Sequence, residues 1–373
     1  MNLNFDMASC VRASSKLSEC TKCVEICPVS TIEIVDNLPT FTPSVCVDCG
    51  GCVGACPTEA FSLKGFSTVD FFFETAESKE KLISCKKNLP CLSVLSVEHL
   101  ISLALASKEP VVLDLGHCQT CEIRDPLFAQ IEQNIEEANF VLSSFSDKQL
   151  MAEKIGYMDE SADAEEAMEE TPSRRSFLSA LSLKGAAKQK AVFDEAVEAG
   201  EQKQFEMDSA VIAKIKNKRL PDKRKILFTM LKRMEKPERY EILPEEELSF
   251  VSQKYVNENC TNCQICYRIC PTGALSSDAK YSLINFDAML CVKCRLCHDS
   301  CEPDAIQLQP GFEIKEFFEP SQRTLATFDI KRCRECGSYF TYTGGEQICP
   351  RCTVEEEEAI TLHDNARKRG RLQ

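Results

Sequence analysis

The chain has 373 residues, 43 % of them hydrophobic, with 24 cysteines, no tryptophan, four histidines and a formal net charge of −14. That length leaves room for several modules, whereas the longest apolar run, around residues 100–106, is far short of a bilayer span, and no basic stretch followed by an apolar core opens the chain, so neither direct membrane insertion nor export is expected. The acidic balance argues against nucleic acid as a partner, and the cysteines stand in pairs and triplets, which points to metal ligation in a reducing cytoplasm and not to a disulfide framework.

Residues 1–66 hold Cys46, Cys49, Cys52 and Cys56-Pro57, preceded by Cys20, Cys23 and Cys27-Pro28; where the spacing calls for one more cysteine stands Leu17, and the nearest upstream thiol is Cys10. Residues 246–318 hold the regular version, Cys260, Cys263, Cys266 and Cys270-Pro271 answered by Cys291, Cys294, Cys297 and Cys301, with Glu302-Pro303 following the last. These doubled C-x2-C-x2-C-x3-C runs resemble the bacterial dicluster ferredoxin domain. In that pattern one tight loop sets three thiolates on a cubane, and the fourth, too far along the chain to reach the same face, ligates the other cluster. The resemblance implies one [4Fe-4S] cluster on Cys260, Cys263, Cys266 and Cys301 and a second on Cys291, Cys294, Cys297 and Cys270. In the first half it implies Cys10, Cys20, Cys23 and Cys56 for one cluster and Cys46, Cys49, Cys52 and Cys27 for the other, with a three-iron or labile-iron site as the alternative at the displaced set. Zinc or reduced structural thiols are the rival readings of the regular runs.

The loop around Cys49 carries Gly50, Gly51 and Gly54, expected to let backbone amides approach inorganic sulfide; the other loops carry Asn262, Gln264, Lys293 and Arg295. Unequal potentials follow, but no order among them, because Lys293 and Arg295 also favour the reduced state.

Between residues 67 and 148 the pattern changes. Residues 69–74 and 81–85 read as strands, 97–107 as a helix, 111–115 as an apolar strand and 126–138 as a second helix, an alternation that implies a parallel sheet. Ligands gather beyond the carboxyl ends of such strands, where Cys85, Cys118 and Cys121 fall, with Cys91 just before the helix. A fifth metal site is expected there, an iron-sulfur cluster first, zinc second, unliganded thiols otherwise; His117 stands beside it as a substitute ligand.

Residues 149–245 contain no cysteine and read as a charged helical linker, acidic from Asp159 to Glu170 and then basic, with helices expected over 191–199, 209–218 and 222–235. The last helix starts at Pro221-Asp222 and lines up Ile226, Leu227, Met230, Leu231 and Met234 on one face. Arg174-Arg175 imitates a twin-arginine export motif, but it is internal and lysines interrupt the segment after it, so a basic linker or docking segment is the reading. Residues 319–373 pair Cys333 and Cys336 with Cys349 and Cys352, two knuckles of zinc-ribbon type with a rubredoxin-like iron site as the alternative, followed by a charged tail.

The four groups use all 24 cysteines. The expected fold is a multidomain α+β chain: two ferredoxin-like dicluster domains (1–66 and 246–318), a small α/β module (67–148), the linker (149–245) and a zinc ribbon with its tail (319–373). The ends of the chain are similar to polyferredoxin subunits of multisubunit oxidoreductases. That resemblance implies a cytoplasmic, non-catalytic electron carrier whose partner is an oxidoreductase catalytic subunit, such as a formate dehydrogenase or related Mo/W enzyme, or another redox protein. An iron-sulfur regulatory or assembly factor using the ribbon to bind a partner is the alternative, and a self-contained reductase would need a flavin or nicotinamide site for which no motif is present.

Overall fold

A computed structural model describes residues 3–155 and 217–370 of the chain. The acidic run, the Arg174-Arg175 motif and the helix expected over 191–199 lie outside the described residues, as does most of 209–218.

Two segments repeat one layout. In the first, strand Leu3–Phe5 pairs antiparallel with Phe61–Leu63, and between them Ile32–Val35 and Leu38–Phe41 form a hairpin. Asp36 and Asn37 turn that hairpin with positive φ, the conformation a two-residue hairpin demands and Asn or Asp tolerates best. In the second, Lys254–Val256 pairs with Ile306–Leu308, and Leu275–Ser276 pairs with Leu283–Asp287. The registers correspond: Leu3 faces Leu63 and Lys254 faces Leu308, and Leu63 and Leu308 stand at the same offset from Cys56 and Cys301. The second copy is extended, because Gln322–Thr327 adds a third strand beside Leu283–Asp287 and Ile242–Pro244 pairs with Gly311–Glu313. Pairing therefore crosses both of the boundaries expected at 246 and 318.

Between the copies, Leu82–Ile83, Val111–Asp114 and Leu150–Glu153 form a parallel three-stranded sheet with Val111–Asp114 in the middle. The sheet runs past the boundary expected at 148. Helices Val97–Ala106 and Arg124–Ser143 make the crossovers. One expectation is corrected: residues 69–74 are not a strand but the middle of the helix Thr68–Glu77. Ser67 caps it by accepting from the Asp70 amide at 3.2 Å, Asp70 supplies the negative charge favoured in a first turn, and Phe71, Phe72 and Thr75 share the buried face. A local cap and a helical face outweighed the β-propensity of three consecutive phenylalanines.

The core converges on Val97–Ala106, of which Val97 to Leu105 are all buried, where each large aliphatic side chain contributes about 1.5–3 kcal/mol. Three helices pack on it: Thr68–Glu77, Arg124–Ser143 and Asp222–Leu231. The last falls in the expected linker but belongs to the core, with Leu227 and Leu231 essentially inaccessible. Its first amides are capped from far away, Asp222 and Lys223 donating to the two carboxylate oxygens of Glu59 at 2.6 and 3.0 Å. Arg224, fully buried, donates from Nε to Glu98 Oε1 at 2.6 Å, from Nη1 to the Met289 carbonyl at 2.8 Å and from Nη2 to the Phe250 carbonyl at 2.7 Å. Lys223 Nζ donates to the Cys56 carbonyl at 2.7 Å and lies 3.5 Å from Glu98 Oε2. Two adjacent cations thereby fasten both ferredoxin-like copies and the α/β module to one helix.

At the C-terminal end, hairpin Ile330–Arg332 with Tyr339–Thr341 leads into helix Pro350–Gly370. Asn262 joins this unit to the second copy, donating to Tyr281 O at 2.9 Å and Thr341 Oγ1 at 3.1 Å. No described helix is long and apolar enough to cross a membrane.

Candidate iron-sulfur and metal centres

Each set of thiols is built by a short loop-helix unit. In the first copy Cys10, Cys20, Cys23 and Cys56 line one small cavity with Pro39, Ala60 and Phe61. The displaced ligand arrives because the helix Val11–Ser14 takes up the gap after Cys10, and Arg12 straps it down, donating to the Cys20 carbonyl at 2.5 Å and to Asn37 Oδ1 at 2.8 Å. Asn37 answers by donating to the Arg12 and Ser15 carbonyls. Leu17 is 60 % exposed and takes no part. Cys27, Cys46, Cys49 and Cys52 line a second cavity together with Leu3, Gly50 and Leu63.

In the second copy Cys270, Cys291, Cys294 and Cys297 line a cavity closed by Lys254, Phe286 and Leu296. Cys260, Cys263, Cys266 and Cys301 form the fourth set, Cys260 being an electrostatic neighbour of Cys263 and Cys301, and Cys266 of Cys260 and Cys263. Cys263 is exposed to solvent. Amides already point at sulfur: Ala60 N donates to Cys56 Sγ and Ala305 N to Cys301 Sγ, both at 3.2 Å, and Thr31 N to Cys27 Sγ at 3.4 Å. Positive φ recurs at matching loop positions in both copies, Asp48 and Gly50, Asn262 and Gln264, Lys293 and Arg295, whereas in the Cys20 loop Thr21 has φ −126°.

In the α/β module Cys85 follows strand Leu82–Ile83 and Cys118 follows Val111–Asp114, on the carboxyl side of the parallel sheet. Cys118 has Cys91, Cys85 and Cys121 as electrostatic neighbours. His117 opens the turn His117–Thr120. Cys91 is also the foremost charged neighbour of Cys49 after desolvation and a local amide, Cys52 is a neighbour of Cys23, and Cys266 of Cys297. Ser15 Oγ and Ser300 Oγ meet at 3.1 Å and the Glu19 amide donates to Asp299 Oδ2 at 3.0 Å, setting the Cys20 loop against the Cys301 loop.

The glycines of the Cys49 loop have a role that the sequence did not reveal. A Cβ on Gly54 would stand 2.1 Å from the Ser93 carbonyl, one on Gly50 2.8 Å from Val94, and one on Gly51 2.7 Å from Leu127. They admit the Cys91–Val94 segment and the Arg124–Ser143 helix, so they serve the junction with the α/β module.

Burial pushes the thiols up: Cys10, Cys49, Cys118, Cys266 and Cys297 to about 12, Cys46 to about 11. Cys85, Cys91, Cys20 and Cys260 move the same way, desolvation being the largest cause. A metal must expel these protons, and thiolates so poorly solvated hold a cationic core tightly.

The ribbon differs. Sγ atoms of Cys333, Cys336, Cys349 and Cys352 all lie within 4.8 Å of one another, with Cys336 and Cys349 at 3.6 Å. Tetrahedral Zn–S bonds of about 2.3 Å place sulfurs about 3.8 Å apart, so the set fits a single ion. Desolvation works against the Cys333 thiolate, but amides of Cys336, Cys349 and Glu335 outweigh it and bring the thiol down to about 6. Among the described residues this is the one group of three or more such ligands drawn so close.

Residues 39–62 and 254–276 match the 4Fe-4S binding domain family. A ferredoxin of Hydrogenibacillus schlegelii, named Ferredoxin 7Fe, is 41 % identical over 44 residues, 12 % of this chain and 56 % of that protein. The chain thus spans little more than half the length of that relative, and no solved structure matches. The chain carries ferredoxin-like 4Fe-4S binding domains, one in each repeated copy.

Proposed function

We propose that the chain is a relay for single electrons, with four [4Fe-4S] sites on the cavity-lining and loop sets above, a fifth on Cys85, Cys91, Cys118 and Cys121, and structural zinc in the ribbon. Bound clusters would supply the one-electron capacity; the polypeptide contributes spacing, burial and charge. The observation that carries the reading is adjacency. Cys91 is an electrostatic neighbour of Cys49, Cys23 of Cys52 and Cys297 of Cys266, so each set lies within electrostatic reach of the next through its own ligands. With every site closed by cysteines there is no open coordination position for a substrate, which supports placing the chemistry on a partner, an oxidoreductase catalytic subunit such as a formate dehydrogenase or related Mo/W enzyme, or another redox protein. Cys118 has Cys91, Cys85 and Cys121 as electrostatic neighbours, which supports one shared site on the four.

The displaced Cys10 and the relative's name support one variant reading, a three-iron site on Cys10, Cys20, Cys23 and Cys56. Anaerobic isolation of the full chain, with iron and sulfide counts and Mössbauer spectra, tests both. About twenty irons per chain are expected from five cubanes; a count near four or below, or sulfide far short of iron, would refute the relay. Co-purification under the same conditions identifies the partner.

A further inference from the structure

The two repeated copies differ in one buried charge. Leu3 and Lys254 occupy the same register position, each facing a leucine at the same offset beyond the last cysteine of its copy. Each also lines the cavity of one thiol set: Leu3 that of Cys27, Cys46, Cys49 and Cys52, Lys254 that of Cys270, Cys291, Cys294 and Cys297. Leu3 is 4 % exposed and Lys254 3 %. Burying an ammonium without a counter-charge is costly, yet no carboxylate among the described residues pairs with Lys254. Its Nζ donates instead to His298 Nε2 at 2.8 Å. The side chain is oriented, and its charge is left for whatever fills the cavity.

The surrounding loop adds to the contrast. Asp48, whose Oδ1 lies 3.7 Å from Cys46 Sγ, and Gly50 stand in the first copy where Lys293 and Arg295 stand in the second. Lys293 is offset by an ion pair with Glu245, and Arg295 is exposed, so water screens it. Lys254 is the one cation of the three that is both buried and unpaired.

The geometry points to Lys254 as the residue that splits the two matching sites in potential, making the Cys270, Cys291, Cys294 and Cys297 site more readily reduced than the Cys27, Cys46, Cys49 and Cys52 site. The inference rests on the relay reading. Reduction adds one electron, and hence one negative charge, with no bond or proton changing hands; a desolvated ammonium at the cavity wall stabilises that charge, and a leucine in the matching wall does not.

The test is an EPR-monitored redox titration of the anaerobically prepared full chain, with dithionite as reductant, on wild type, Lys254→Leu and Lys254→Arg. Lys254→Leu gives the cavity the side chain its counterpart already holds and removes an unpaired charge, so its iron content should equal that of wild type. The expected result is that a single one-electron step falls at least tenfold in its reduction equilibrium, about 59 mV for one electron, while the other steps stay in place and Lys254→Arg behaves as wild type. No step moving, or all steps shifting together, overturns the inference. Should Lys254→Leu lose iron, Lys254→Gln carries the same comparison. A wild-type chain without four-iron sites would instead defeat the relay reading itself, and the iron count separates the two failures.

Discussion

Arg224 offers the sharpest test of how the parts are held together. Replacing it with methionine removes a guanidinium that is wholly inaccessible and that bonds Glu98, Met289 O and Phe250 O. What remains is Glu98, 1 % exposed, with Lys223 at 3.5 Å as its cationic partner, and two carbonyls that lose their donors. Desolvation pushes the Glu98 carboxyl up, but Arg224 and Lys223 together outweigh it and hold it below its ordinary value; the nearer of those two cations goes with the substitution. Breaking a buried pair by removing one member costs about 3–5 kcal/mol, which sits against a total stability of roughly 5–15 kcal/mol. The two stranded carbonyls keep the loss toward the upper end of that range. The assay is urea denaturation of the metal-free chain followed by circular dichroism, comparing Arg224→Met, Glu98→Met and the double variant. Arg224→Met should lower the midpoint strongly, and the double variant should recover much of the loss, because apolar replacements leave no charge stranded. A loss under about 1 kcal/mol, or a double variant as unstable as the two single losses summed, would refute the assignment of Arg224 and Glu98 as one buried unit.

Other outcomes rest on the same geometry. Thiols whose pKa in the folded chain is raised to about 12 favour the protonated form, so the metal-free chain keeps their contribution below about pH 9 and loses it as pH climbs toward 12; thermal melts at about pH 8 and about pH 10 should differ for the metal-free chain and agree for the loaded one, whose sulfurs no longer titrate. Gly54→Ala forces a Cβ to 2.1 Å from the Ser93 carbonyl; stability should fall by about 1–3 kcal/mol, and EPR broadening between reduced sites on either side of that junction should weaken, whereas an unchanged spectrum with full iron would remove the junction from the relay. Cys336→Ser should release one zinc per chain in a chromogenic chelator assay while leaving the ferredoxin-type redox steps where they were.

How much of this was legible in the sequence depends on the range of the interaction. Cysteine spacing is a local code, so the membership of Cys46, Cys49 and Cys52 in one loop needed no fold to read, and the parallel sheet followed from the alternation of apolar strand and helix around Val111–Asp114. The Thr68–Glu77 helix was misread because Phe71, Phe72 and Phe73 looked like a strand; Ser67 followed by Asp70 was the cap signal that could have corrected it. Nothing local marks Lys254 as buried beside a thiol set, since that depends on its pairing with Leu308. Arg224 read as one more charge in a basic run, because Glu98 lies 126 residues away.

The helix Asp222–Leu231 also determines where the chain can be cut. Glu59 and Glu98 are synthesised long before the amides and the guanidinium that answer them, with Glu59 paired across 163 residues. A fragment ending ahead of residue 222 would bury Glu98 with no cation and leave the Cys56 carbonyl without Lys223. The repeated copies look severable in outline, yet a preparation of either alone is a different molecule from the half it is meant to represent.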